Sequence, residues 1–159
     1  MNTLCWRSPL GPILLEEEGG AVTGLRFCGQ EVPAQGPVSP VLAQAAAQLA
    51  EYFAGQRQSF TVPLAPRGTP FQQEVWRALC AIPYGQTRSY GQLAAALGRP
   101  SAARAVGGAC RRNPIWLMIP CHRVVGASGS LTGYAGGLER KKALLALEQG
   151  QALQPHSTL

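Results

Sequence analysis

The segment APRGTP, residues 65–70, divides the chain into two parts whose apolar residues follow different patterns. The first part contains short apolar runs bounded by glycine and proline, which are typical of strands. The second part repeats apolar residues at the spacing of helices. This change predicts an α/β domain over residues 1–68, a mainly α-helical domain over residues 69–150 and a flexible tail over residues 151–159.

Three stretches of the first part predict regular elements. Residues 11–29 contain two apolar segments joined at Gly19 and Gly20, which predicts a β-hairpin. Residues 41–55 predict a helix, and residues 59–64 predict a further strand. The apolar residues of the helix that lie near helical spacing are Leu42, Leu49, Tyr52 and Phe53.

Helices account for most of the second part. Thr69 and Pro70 form an N-cap and first-turn pair, which predicts a helix that ends near Ile82. Residues 137–150 predict a last helix, with Gly150 as its terminator. The leucines of this helix that we expect to face inward are Leu138, Leu144, Leu145 and Leu147.

Two short helical segments, residues 89–98 and 101–113, are joined by a tight turn that contains glycine, and we expect Ser101 to cap the second. This pattern is typical of a DNA-binding helix-turn-helix. Two packed helices of an ordinary bundle produce the same pattern more often. The basic residues of the second segment favour DNA binding, and they are Arg104, Arg111 and Arg112.

Charge is distributed unevenly between the two parts. Residues 1–70 carry four Arg or Lys against five Glu, and residues 71–159 carry ten against three, within a total of +6. A basic second part favours a polyanionic partner such as nucleic acid, although many soluble domains are basic without one. No apolar run reaches the ~20 residues that span a bilayer, and the N-terminus lacks the pattern of a secretion signal. We therefore expect a cytoplasmic protein without a membrane partner.

The five cysteines do not suggest a metal site. Their number is odd, none forms a CxxC pair, and the chain has only two histidines. Free cysteines of this kind are usually small buried apolar residues and indicate a reducing compartment. We expect no metal and no cofactor.

The segment IPCHRVVG, residues 119–126, places a thiol, an imidazole and a guanidinium directly after the apolar run IWLMI. The thiolate is the reactive form of cysteine, and an unperturbed pKa of ~8.5 leaves only a few per cent of it ionised at neutral pH. A base at His122 and positive charge at Arg123 would activate Cys121. Because neighbours in an extended segment point in opposite directions, contact between Cys121 and His122 requires a water molecule or a bend.

The base needs an acceptor to orient it, and because the sequence contains no Asp, that acceptor is a glutamate. The second part offers Glu74, Glu139 and Glu148. We select Glu148, at the end of the last helix in otherwise apolar surroundings. The alternative is a solvated carboxylate at a helix end, which is the more common case on spacing alone.

Several consecutive motifs carry a family resemblance: RAVGGACRRNP, PCHRV and GSLTGYAGGLERKKALL. Over residues 71–150 the chain resembles the O6-alkylguanine-DNA alkyltransferases, also called methylated-DNA–protein-cysteine methyltransferases. The resemblance implies an RNase H-like N-terminal domain and a C-terminal domain with a winged-helix-like helix-turn-helix. It implies a repair protein that binds duplex DNA through the minor groove, flips out O6-alkylguanine and transfers the alkyl group once to its own cysteine. Whether O4-alkylthymine is also accepted stays open.

The resemblance assigns roles to the DNA-reading residues. Arg104 fills the space left by the flipped base, and Tyr90 helps to turn the 3′ phosphate. Arg111 and Arg112 belong to the same DNA-binding surface. Asn113 ties the turn before the reactive loop to the helix-turn-helix.

The resemblance also assigns the reactive and pocket residues. Cys121 accepts the alkyl group, His122 is a base that acts through water, and Glu148 orients His122. The residues implied to shape or support the lesion pocket are Pro120, Arg123, Val124 (through its backbone carbonyl), Tyr134 and Ala135. Some family members have serine where this chain has Ala135, so a backbone N–H must contact the guanine O6 here.

Two other functions are compatible with these residues. A sensor that binds alkylated bases without reacting shares the resemblance, but such relatives replace the cysteine. A cysteine hydrolase would use Cys121, His122 and Glu148, and would leave the helix-turn-helix and the basic second part unexplained. We expect a monomer, associated with the nucleoid if the source is bacterial.

Overall fold

The computed structural model describes residues 1–151 and residue 153. An antiparallel sheet of three strands, in the order β1-β2-β3, begins the chain. The strands are β1 (Asn2–Ser8), β2 (Gly11–Glu18) and β3 (Ala21–Phe27). The predicted hairpin is confirmed, since Gly19 and Gly20 connect β2 to β3 at φ +63° and +82°, where glycine is unstrained. The sequence did not reveal β1, because its buried positions are the polar residues Thr3 and Ser8.

Helix α1 (Pro40–Phe53) packs on this sheet. The Ser39 side chain caps it by accepting a hydrogen bond from the Leu42 backbone N–H at 3.2 Å. The predicted helix is confirmed, and its four apolar residues at helical spacing are all buried: Leu42, Leu49, Tyr52 and Phe53.

The strand predicted over residues 59–64 is wrong. Only Leu64 pairs there, in an isolated parallel bridge with Val22. Pro63 has no N–H to donate to a ladder, and the Thr61 N–H bonds instead to the side-chain oxygen of Gln48 at 3.0 Å. Pairing with β3 is therefore confined to the end of the segment, where the N–H of Val22 donates to the carbonyl of Pro63 at 2.9 Å.

Four helices build the second part. They are α2 (Pro70–Cys80), α3 (Tyr90–Ala96), α4 (Ala103–Arg111) and α5 (Leu138–Glu148). Thr69 caps α2, as predicted, and Ser89 caps α3, each with a reciprocal bond from a glutamine three residues on. The short strands β4 (Arg88–Ser89) and β5 (Val124–Val125) pair in parallel.

Two details of these helices differ from the prediction. Ser101 does not cap α4, because a turn closed by Ala102 N–H to Arg99 C=O carries the chain one residue further before the helix begins. Leu138 is exposed and Leu145 is only half-buried, whereas Lys141 is fully buried on the same helix. The inward face of α5 therefore includes a charged residue that an apolar pattern does not reveal.

The two parts share one hydrophobic core. Leu25 of β3 forms a parallel bridge with Ile115, and the indole N–H of Trp76 donates to the carbonyl of Ala109 at 2.9 Å. Among the residues described, no helix is long and apolar enough to cross a membrane. Of the predicted tail over residues 151–159, all but Gln151 and Leu153 lies outside the described residues.

Candidate active site

The loop that contains Cys121, called the reactive loop below, starts where α4 ends at Arg111. Asn113, which is buried, donates from Nδ2 to the carbonyl of Ile119 at 2.8 Å and accepts the N–H of Ile115 on Oδ1 at 2.9 Å. These two bonds close the apolar run into a compact turn, in which Leu117 takes a left-handed φ of +71°. The turn leads directly to Cys121, whose backbone N–H donates to the carbonyl of Ile119 at 2.8 Å.

Cys121 lies in a single turn of 3₁₀-helix, Cys121–Arg123, rather than in an extended segment. Burial raises the pKa of its thiol to about 11, against opposing effects from the Asn113 side chain and Lys141. From the sequence we expected the charge of Arg123 to activate the thiol. In the structure its guanidinium instead donates to Glu148 and to the carbonyl of Ile82. The resting thiol is therefore protonated, and its reaction requires a base.

Glu148 is the centre of a buried charged network behind Cys121. Its Oε2 lies 2.7 Å from His122 Nε2, and its Oε1 accepts from Arg123 Nε at 2.8 Å. Arg123 also donates to Oε2 at 3.1 Å and to the carbonyl of Ile82 at 2.8 Å. Hydrogen bonds from His122, Arg123 and Tyr52 outweigh burial and lower the Glu148 pKa to about 2. Glu148 is therefore an ionised, buried acceptor and not a solvated helix-end carboxylate.

The partner of His122 fixes which ring nitrogen carries the proton. An ionised carboxylate can only accept, so Nε2 must be the N–H that donates to Glu148. Burial lowers the His122 pKa, which keeps the ring neutral near pH 7. The unprotonated nitrogen is then Nδ1, which is buried without a hydrogen-bond partner among the described residues. Such a nitrogen is ready to accept a proton.

Lys141 is a site residue that the sequence analysis missed. Its side chain is fully buried, and Nζ donates to the carbonyl of Val124 at 2.5 Å and to that of Thr132 at 2.7 Å. Lys141 thus joins the reactive turn to the following loop. The only signal in the sequence was its position among the inward-facing residues of α5. The Val124 carbonyl, expected to shape the pocket, is the acceptor of this lysine.

The remaining predicted pocket residues lie around the same loop. Tyr134 is buried with its ring 6.1 Å from that of Trp116, and its hydroxyl has no partner among the residues described. Pro120 is buried beside Cys121, and Ala135 is exposed on the loop. Burial and, to a lesser extent, the charge of Cys121 raise the Tyr134 pKa well above its ordinary value, so Tyr134 lies near the thiol.

An open groove of 410 Å³ lies on the helix-turn-helix face. Three of the predicted DNA-contacting residues line it together: Tyr90, Arg104 and Arg111. Gly107 lies between them, and a Cβ there would meet the Tyr90 ring at 3.6 Å, an ordinary contact. Arg112 is exposed at the end of α4 and does not line the groove. Thr132 and Gly133, from the loop that Lys141 anchors, also line the groove.

Two family descriptions match the sequence. One, 6-O-methylguanine DNA methyltransferase, DNA binding domain, matches residues 70–150. The other, 6-O-methylguanine DNA methyltransferase, ribonuclease-like domain, matches residues 4–66. The chain belongs to this methyltransferase family. The family and the fold class predicted from the sequence are therefore confirmed.

Similar members of the family cover nearly the whole chain. A methylated-DNA–protein-cysteine methyltransferase of Mycobacterium tuberculosis is 52% identical over 149 residues, which cover 91% of this chain and 90% of that protein. One of Methanosarcina acetivorans is 49% identical over 148 residues, covering 90% and 95%. The crystal structure of M. tuberculosis OGT in complex with DNA matches with a TM-score of 0.85 and 50% identity, covering 93% of this chain and 92% of that one.

Proposed function

We propose that this chain is a DNA repair protein that removes the alkyl group from O6 of guanine in duplex DNA and transfers it to Sγ of Cys121. Membership of the methyltransferase family supports the reaction class. The observation that carries the assignment to this residue is the buried network behind it, in which Glu148 orients His122 next to Cys121. An ordinary buried cysteine has no need of an oriented base.

The proposed reaction begins with proton removal from the thiol. Nδ1 of His122 accepts the Cys121 proton through one water molecule, while Glu148 stabilises the imidazolium that forms. The thiolate then attacks the alkyl carbon in line, so that a carbon–sulfur bond forms as the carbon–O6 bond breaks. The guanine leaves as an anion and takes up the proton that His122 had accepted, which returns the imidazole to its neutral form. The thioether has no hydrolysable bond, so each molecule reacts once.

The proposed substrate is a flipped base. An alkyl group on O6 lies inside the duplex, out of reach of a buried thiol, so the nucleotide must rotate into the site. The groove lined by Tyr90 and Arg104 is where we propose that the helix-turn-helix meets the minor groove. Arg104 is exposed there and is free to enter the space that the base leaves.

The two parts of the chain have separate proposed roles. We assign residues 69–150 to DNA binding and alkyl transfer, and residues 1–68 to support of that unit. Because Ala135 has no hydroxyl, a backbone N–H is the proposed donor to the lesion O6. We further propose that the protein acts as a monomer on nucleoid DNA in the cytoplasm.

Intact-protein mass spectrometry tests this function. After incubation with a duplex that contains O6-methylguanine, we expect a mass increase of a single methyl group, mapped to the peptide with Cys121. Cys121→Ser should show no increase yet still bind the duplex. Cys80→Ser, which changes a different cysteine at the exposed end of α2, is the matched control and should be methylated fully. An unchanged mass of the wild-type protein despite tight binding would instead indicate a non-reacting sensor, and repeated turnover a hydrolase.

A further inference from the structure

The network around Glu148 includes one residue from the first part of the chain. Tyr52, in the last turn of α1, donates its phenolic hydroxyl to Oε2 of Glu148 at 2.6 Å. This is the same carboxylate oxygen that accepts the N–H of His122 at 2.7 Å. We propose that Tyr52 is a positioning residue for alkyl transfer, which shares the Glu148 acceptor oxygen with His122 and thereby limits how strongly that carboxylate supports the base.

The ring of Tyr52 is held in one orientation by the core that surrounds it. The side chain is fully buried. Its ring centroid lies 5.3 Å from Phe53 in an edge-on arrangement, 5.4 Å from Phe60 and 6.3 Å from Tyr84. Three aromatic neighbours leave the ring no alternative orientation without opening the core. The hydroxyl therefore has a defined position from which it restrains Glu148.

The donor role of Tyr52 follows from its surroundings. Burial, together with the nearby Glu148 charge, raises the Tyr52 pKa well above its ordinary value, so the phenol keeps its proton. An ionised carboxylate cannot donate, so the hydroxyl must be the donor in this contact. The bond thus stabilises the negative charge of Glu148.

His122 and Tyr52 donate to the same oxygen of Glu148, so each hydrogen bond affects the other. Electron density that Oε2 gives to the Tyr52 hydroxyl is less available to the Nε2–H of His122. Without that hydroxyl the carboxylate should accept more strongly from His122, and the imidazole should become more basic. The other charged and titratable groups near this pair are Arg123, Lys141, Cys121, Tyr84 and Tyr134. A Tyr52→Phe substitution changes none of them.

Tyr52→Phe is the test, because phenylalanine keeps the ring and removes only the donor. Tyr84→Phe is the matched control: it deletes a hydroxyl that reaches the Leu147 carbonyl at 3.5 Å and not Glu148. The first measurement is the NMR proton shift of the His122 Nε2–H near neutral pH, in a His156→Gln background where His122 is the only histidine. In Tyr52→Phe we expect a downfield shift, because a stronger acceptor deshields the proton. The Tyr84→Phe signal should remain in place.

The second measurement is the pH dependence of alkyl transfer to the protein from free O6-benzylguanine. The acid-side midpoint should rise by about 0.5 to 1 pH unit in Tyr52→Phe, the size expected for loss of one hydrogen bond. This readout rests on the proposed function, whereas the NMR signal does not. An unmoved Nε2–H signal in folded Tyr52→Phe would overturn the positioning role. Absence of transfer in the wild-type protein, with the signal shifted, would overturn the proposed function alone.

Discussion

Leu25 and Ile115 form a parallel bridge between the first sheet and the reactive loop. The N–H of Leu25 donates to the carbonyl of Pro114, and the carbonyl of Leu25 accepts from the N–H of Trp116, each at 2.9 Å. Backbone bonds of this kind fix the loop in register with β3. The first part of the chain therefore holds the segment that leads to Cys121, in addition to supplying Tyr52.

Lys141→Met should loosen the loop around Cys121 and also remove a positive charge that lowers the pKa of its thiol. The variant removes the ammonium group that donates to the carbonyls of Val124 and Thr132. Both carbonyls then lose this hydrogen bond. We expect the free energy of unfolding to fall by about 1–3 kcal/mol in urea titrations. The transfer rate should fall about tenfold or more, because small displacements of reacting groups are costly.

Lys142→Met provides the control for that experiment. Lys142 is the adjacent lysine on the same helix, but it is exposed. Its substitution should change stability by less than about 0.5 kcal/mol. Equal effects of the two substitutions would show that the buried contacts of Lys141 have no special role.

Arg104→Ala should separate base flipping from chemistry. Loss of the side chain that fills the duplex should slow repair of O6-methylguanine in duplex DNA by about 10- to 100-fold, since unstacking costs a few kcal/mol. Reaction with free O6-benzylguanine, which needs no flipping, should stay within about twofold. Arg7→Ala, at an exposed arginine of the first part, should alter neither rate. Equal losses on both substrates would remove Arg104 from the flipping step.

The pH dependence of transfer should report the state of His122. Burial lowers the His122 pKa below its usual value of about 6.5, so the ring is still able to accept a proton at that pH. Only below the lowered pKa does the imidazolium form, and there the rate should decline. Between about pH 7 and 9 the rate should be nearly flat, because the base and not free ionisation supplies the thiolate.

Stopped-flow measurement of single-turnover transfer from O6-benzylguanine would give this profile. Because the Cys121 pKa is about 11, the fraction of thiolate formed without a base would keep rising throughout this pH range. If unassisted ionisation limited the reaction, the rate would rise about tenfold per pH unit across the same range. Such a rise would exclude His122 as the base.

Local interactions explain what could be predicted of the fold. The hairpin at Gly19-Gly20 and the starts of α2 and α3 depend on residues within one turn of each other, so their sequence patterns suffice. Strand β1 could not be predicted, because its inward positions are polar. The strand expected over residues 59–64 failed because Pro63 and the Gln48 contact compete with pairing.

The amino-acid sequence by itself determined the type of protein: a strand-rich first part, a helical second part, and the family that its motifs indicate. It also pointed to Cys121 beside His122 as the residue that we propose to be reactive. Only the tertiary structure decided the surroundings of that cysteine. Whether Glu148 is solvated or buried depends on Tyr52 and Arg123 packing against it, and whether Lys141 faces inward depends on carbonyls of another segment. Such contacts join residues far apart in the chain. The spacing of apolar residues along the sequence does not predict them, because they form only when separate elements pack together.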